Sequence, residues 1–191
     1  MRPAVFLDRD GTIIEEHGYI GDLALIRPFP WSAGAMRDLA AAGYALVVVT
    51  NQAGVARGFF DEAFVRRAHA HLDALLAADG VRVDGYYYCP HHPAGVVDCY
   101  RRECRCRKPA PGMIEDAARE LGLDVARSWV VGDKWLDVAL AANAGARGVL
   151  VRTGYGAGTE PDPPPGVVPA AVLDHLGDAA RWILAHDHVP R

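Results

Sequence analysis

Short apolar runs alternate along this chain with longer stretches in which apolar residues recur every three or four positions. The runs Ala4–Leu7, Ala45–Thr50, Gly85–Cys89, Trp129–Gly132, Gly148–Val151 and a shorter Ala171–Leu173 read as strands. The periodic stretches Ala33–Ala42, Glu62–Ala78, Gly112–Leu121, Leu136–Ala144 and His175–His186 read as helices. Ser32 and Asp61 are expected N-caps, and Gly43 and Gly145 expected stops. The strands are continuously apolar rather than alternating, as strands covered on both faces should be. Repeated βαβ order then requires a doubly wound parallel sheet, a three-layer α/β/α class, with every strand's carboxyl end on one edge. The polar residues at those ends are Asp8, Thr50, Cys89, Asp133 and Arg152, so one site is expected there.

A length of 191 residues suits a single α/β domain spanning 1–191, with no insertion large enough for a separate cap domain. The apolar fraction of 51 % and the net charge of −4 indicate a folding chain without the footprint of a nucleic-acid binder or a membrane-surface protein. Met1-Arg2-Pro3 leads straight into the first strand, so no leader is expected, and no apolar run reaches the length of a membrane span. A cytoplasmic monomer is the resulting expectation. Three of the four cysteines fall between residues 99 and 106, with Cys89 nearby, which points to metal rather than disulfides.

Four segments carry candidate chemistry. Asp8-Arg9-Asp10-Gly11-Thr12 sets two carboxylates at the end of an apolar strand; one can attack phosphorus and the other can move a proton. Thr50-Asn51-Gln52 ends the second strand with a hydroxyl and two amides that can hold phosphate oxygens, though such a run also makes an ordinary polar turn. Arg107-Lys108-Pro109 precedes a helix, where Lys108 can neutralise charge or simply be solvated. Gly132-Asp133-Lys134-Trp135-Leu136-Asp137 ends the fourth strand, and Asp133 can complete an oxygen site for Mg²⁺. Asp137 can cap the next helix, meet Lys108 or hold metal waters.

In this order and spacing, the four segments resemble the haloacid dehalogenase superfamily of phosphohydrolases over about 4–152. The resemblance implies that Asp8 is the nucleophile, forming an aspartyl-phosphate, and Asp10 the general acid and then base. It implies Thr50 and Lys108 as phosphoryl ligands, and Mg²⁺ held by Asp8, the Asp10 backbone carbonyl and Asp133. Cys89-Pro90-His91 and Cys104-Arg105-Cys106 supply three thiolates and an imidazole, the donor set of a closed structural Zn²⁺ site. That zinc loop, about 89–108, would order the approach to Lys108. Cys99 and His92 are the spare donors.

Further stretches resemble the D-glycero-D-manno-heptose 1,7-bisphosphate phosphatases: His17-Gly18-Tyr19, Val49–Gly58, Tyr88–Pro93, Cys104–Pro109 and Val151–Gly154. That family removes the 7-phosphate of a sugar bisphosphate on the way to activated heptose for lipopolysaccharide and other surface glycans. Arg107 and Arg57 are then candidates for a second phosphate, with solvated arginine the alternative for Arg57. His17, Tyr19, Asn51 and Gln52 are candidate substrate contacts, and packing is an equal reading of Tyr19. Histidinol-phosphate phosphatase is the nearest rival, sharing fold, motifs and zinc loop. A nucleic-acid 3′-phosphatase and a non-catalytic zinc-stabilised module are the others.

Overall fold

The computed structural model describes residues 1–186. Six strands, β1 (Ala4–Leu7), β2 (Ala45–Asn51), β3 (Gly85–Cys89), β4 (Trp129–Gly132), β5 (Arg147–Val151) and β6 (Ala171–Leu173), form one sheet in the order β3-β2-β1-β4-β5-β6. Every pairing is parallel. Helices α1 (Ser32–Ala41), α2 (Glu62–Ala78), α3 (Gly112–Leu121), α4 (Trp135–Ala144), the four-residue α5 (Gly156–Thr159) and α6 (Leu176–His186) complete the architecture.

The expected class follows from how each strand divides its side chains. Alternate residues point to opposite faces. Val5, Leu7, Leu46, Val48, Val131 and Val149 pack with residues of α1, α2 and α6, including Met36, Leu39, Leu72 and Ile183. Ala4, Phe6, Val47, Val49 and Val130 pack on the other face with Met113, Ile114 and Ala117 of α3 and Leu140 and Ala141 of α4. Two buried faces explain why β1, β2 and β4 are apolar at nearly every position. Burial of each large side chain on these faces contributes on the order of 1.5–3 kcal/mol.

Connections run in opposite directions on the two sides of β1. The chain moves from β1 outward through β2 to β3, then returns to β4 on β1's other side. The ends of β1 and β4 therefore flank the crevice where open α/β sheets bind ligands. Asp8 continues the β1 ladder, its amide donating to the Val131 carbonyl at 2.9 Å.

Local signals held with one exception. Asp61 caps α2, its carboxylate accepting from the Phe64 amide at 2.7 Å, and Gly145 ends α4 with φ +80°. Ser32 is not the cap of α1: it is the first helical residue, and Trp31 holds the cap position without a side-chain bond. The Ser32 hydroxyl instead donates to the Ile13 carbonyl at 2.7 Å, tying α1 to the loop after β1. No helix among the described residues is long and apolar enough to cross a membrane.

Candidate active site

β1, β4 and the segment before α3 bring three carboxylates and one ammonium together in the interior. Asp8, Lys108, Asp133 and Asp137 are all buried, and ligand oxygens of the three acids lie within 4.8 Å of one another. Lys108 Nζ donates to Asp8 Oδ1 at 2.8 Å and to Asp137 Oδ1 at 2.6 Å. Asp137 also accepts the Lys134 backbone amide at 3.1 Å through Oδ2, so it caps α4 and anchors Lys108 at once. Two of the roles open to Asp137 in the sequence are therefore combined.

Charge settles the protonation pattern. Burial pushes the Asp8 carboxyl up, but Lys108 and then Lys134 outweigh it and hold the group below its usual range. Asp8 is thus a carboxylate, the form a nucleophile requires. Burial also acts to lower Lys108, and Asp137 and Asp8 more than offset it, so the ammonium persists. Asp133 has only Lys134, at 3.3 Å and one-third exposed: burial first, and Asp8 next, outweigh it and raise the group to about 7. A cation beside Asp8 and Asp133 would relieve this excess of negative charge. Hard oxygen donors in a crowded pair suit Mg²⁺.

The backbone closes tightly over Asp133. A Cβ built on Gly11, at φ +81°, would lie 2.4 Å from Asp133 Oδ2, and one on Gly154, at φ +57°, would lie 2.3 Å from it. Neither position has room for a side chain, so these glycines let both loops approach the carboxylate. The same Oδ2 accepts the Tyr155 amide at 2.9 Å, and Thr153 Oγ1 ties the loops by donating to the Gly11 carbonyl at 2.6 Å.

Asp10 faces the cleft from a different support. Arg9, buried beneath it, donates through Nε to Oδ1 at 3.1 Å and through its terminal nitrogen to both oxygens at 2.9 and 3.0 Å. Gln52 Nε2 donates to Asp10 Oδ2 and to Thr50 Oγ1, both at 2.9 Å. Thr50 accepts there and can donate its own hydrogen to a ligand. Gln52 thus orients Asp10 and Thr50, a positioning task beyond the substrate contact expected of it. Asn51 likewise grips the chain, accepting the Lys108 amide at 3.1 Å and facing the Lys108 carbonyl at 3.4 Å.

A cleft of about 330 Å³ opens over these groups. Its walls include Asp8, Asp10, Thr50, Arg107, Lys108 and Tyr19. Glu16, Phe60, Lys134 and Tyr155 also line it and were not singled out in the sequence. Arg57 does not line it. Its guanidinium lies 5.8 Å from the centre of the Tyr19 ring and 3.4 Å from His92 Nε2, so it braces the cleft wall. His17 turns to Glu15 at 3.2 Å and also stays outside. Arg152, expected at the sheet edge, is drawn aside by Glu160 and Asp174 at 2.6 and 2.7 Å.

The second cluster is of a different kind. Cys89, Cys104 and Cys106 sulfurs lie 3.2–3.5 Å apart, and His91 Nδ1 lies 3.4 Å from Cys106 and 3.7 Å from Cys89. Tetrahedral zinc with Zn–S bonds of about 2.3 Å sets its sulfurs about 3.7–3.8 Å apart, so the gathered donors would take the ion by spreading a few tenths of an ångström. Hydrogen bonding with Cys89, then with Cys104 and His91, lowers the Cys106 thiol to about 5 against the opposing effect of burial, towards the thiolate that metals bind. Cys99 is exposed and outside the cluster. The loop is also stitched to its surroundings. Arg107 donates to the His91 carbonyl at 3.2 Å, and Gly112 sits where a Cβ would strike the Arg105 carbonyl oxygen at 2.4 Å.

The chain is similar to known proteins in sequence and in fold. A family model described as "HAD-hyrolase-like" matches residues 105–179. D-glycero-beta-D-manno-heptose-1,7-bisphosphate 7-phosphatase of Photorhabdus laumondii is 49 % identical over 83 % of this chain and 85 % of its own. The enzyme of the same name from Escherichia coli strain K12 is 51 % identical over 80 % of each chain. Among solved structures, D,D-heptose 1,7-bisphosphate phosphatase from B. bronchiseptica, complexed with magnesium and phosphate, superposes with a TM-score of 0.83 at 34 % identity. That superposition covers 96 % of this chain and 98 % of the other.

Proposed function

Because this chain belongs to the D-glycero-β-D-manno-heptose-1,7-bisphosphate 7-phosphatase family, we propose that it removes the 7-phosphate from that sugar bisphosphate. The observation that carries the reading is Lys108 spanning Asp8 and Asp137 at the bottom of a cleft whose wall holds Asp10.

The Asp8 carboxylate attacks the phosphorus of the 7-phosphate. An O–P bond forms to Asp8 as the bond from phosphorus to the sugar oxygen breaks. Asp10, aimed by Arg9 and Gln52, delivers a proton to the departing oxygen. Water then attacks the aspartyl-phosphate, Asp10 takes up its proton, and inorganic phosphate leaves with Asp8 restored. Thr50 and Lys108 hold phosphoryl oxygens and offset the charge that builds on them. Asp8, the Asp10 carbonyl and Asp133 would hold Mg²⁺, which when bound supplies further charge neutralisation. Arg107, which lines the cleft, would bind the phosphate that is retained. Cys89, His91, Cys104 and Cys106 would hold Zn²⁺ in a purely structural task, with no donor position left over for chemistry. Residues 1–191 act as one phosphatase domain in this scheme, built on the single sheet.

Phosphate release from a panel tests the reading: both anomers of the heptose bisphosphate, histidinol phosphate, fructose 1,6-bisphosphate and a 3′-phosphorylated oligonucleotide. Preference for the β heptose bisphosphate, with phosphorus NMR showing the anomeric phosphate intact, is the expected result. A higher kcat/KM for histidinol phosphate or the oligonucleotide would replace the assignment.

A further inference from the structure

We infer that Lys134, whose ammonium bridges Asp133 and Glu16, is the internal competitor of the metal, and that Mg²⁺ binding requires it to give up Asp133 and stay with Glu16. The inference rests on the proposed Mg²⁺ site and adds to it a residue that sets its affinity. Asp133 has only one oxygen available to a cation from the cleft. Oδ2 accepts the Tyr155 amide and is pressed by Gly11 and Gly154, which leaves Oδ1. Lys134 Nζ lies 3.3 Å from that Oδ1. Lys108 cannot take over the task, because Asp8 and Asp137 engage it at 2.8 and 2.6 Å.

Lys134 also has somewhere to go. Its Nζ lies 3.4 Å from Glu16 Oε2 and 4.5 Å from the centre of the Tyr155 ring, so a carboxylate and an aromatic face hold it as it leaves Asp133. Glu16 is fixed for this role by the Gly18 amide, which donates to Oε1 at 2.6 Å. The side chain of Lys134 is one-third exposed, at 33 %, whereas that of Asp133 is fully buried, so the lysine is the partner free to move. Two cations a few ångströms apart at one carboxylate repel strongly, and the arriving ion must overcome this before it gains the site.

The test is calorimetric Mg²⁺ titration of the full-length, zinc-loaded protein and its K134M, K134Q and K134R variants, paired with thermal melting in Mg²⁺-free and Mg²⁺-saturated buffer. Both neutral variants should bind Mg²⁺ about tenfold or more tightly than the native protein. They should melt earlier than it without Mg²⁺, and the deficit should shrink or vanish at saturation. K134R, which keeps the charge, should stay near native affinity. Unchanged or weaker Mg²⁺ binding in the neutral variants would overturn the inference while leaving the metal site intact. Absence of any Mg²⁺ binding to the native protein would overturn the metal site itself and this inference with it.

Discussion

The carboxylate cluster under the cleft and the cysteine cluster in the adjoining loop are two answers to one problem. Each gathers like-charged donors that repel unless a cation joins them. The cysteine cluster would spend all four donors on that cation and keep none for a substrate. The carboxylate cluster is mixed: Lys108 neutralises part of the charge permanently, and Asp8 is left ionised and facing a cleft. On the proposed function, one cluster is a fastener and the other a reagent. They are only two residues apart in sequence, Cys106 to Lys108, so the fastener sets where the reagent's lysine stands.

Breaking the reagent should cost most activity and little stability. Asp8→Asn is expected to lower kcat by at least about 10⁴-fold and to lower the melting temperature modestly, because the buried Lys108 keeps only Asp137 as a charged partner; circular dichroism melts and single-turnover phosphate release check both. Withdrawing Mg²⁺ with a chelator too weak to take zinc should stop turnover, and adding Mg²⁺ back should restore it fully, with zinc content unchanged by elemental analysis. Breaking the fastener should invert the pattern. Cys104→Ser is expected to lose zinc and about 2–5 kcal/mol of stability, with activity falling only as far as Lys108 loosens. Asn51→Ala cuts the bond between the clusters and leaves both intact. Its expected signature is about a tenfold lower kcat with normal zinc content and a melting point within a few degrees of native. Asp61→Ala, remote from both, should cost about 1 kcal/mol through the lost cap and leave kcat untouched.

The sheet was legible because strands covered on both faces have no polar position to confuse the period, as Val47-Val48-Val49 illustrates. Asp8, Lys108 and Asp133 were legible because each follows a strand or precedes a helix in a recognisable segment. Four things were not. Ser32 looks like a cap, but its hydroxyl is claimed by a carbonyl 19 residues earlier, a contact that exists only after folding. Gln52 and Asn51 look like ligand amides, and turn out to hold Asp10 and Lys108 because β1 and the zinc loop fold against the end of β2. Lys134 and Glu16 are ordinary charged residues in sequence, 118 positions apart, and acquire meaning only from meeting over Asp133. The short helix α5 spans too few residues to show a period at all.

The two strands that carry Asp8 and Asp133 occupy the middle of the sheet, with two neighbours beyond each side. Edge elements such as β6 can open to solvent without dragging the reacting atoms apart, since the central pair is the last to lose its partners. Amide hydrogens along Ala4–Leu7 and Trp129–Gly132 should consequently exchange only through global unfolding, and the catalytic geometry should survive in molecules whose periphery has already frayed.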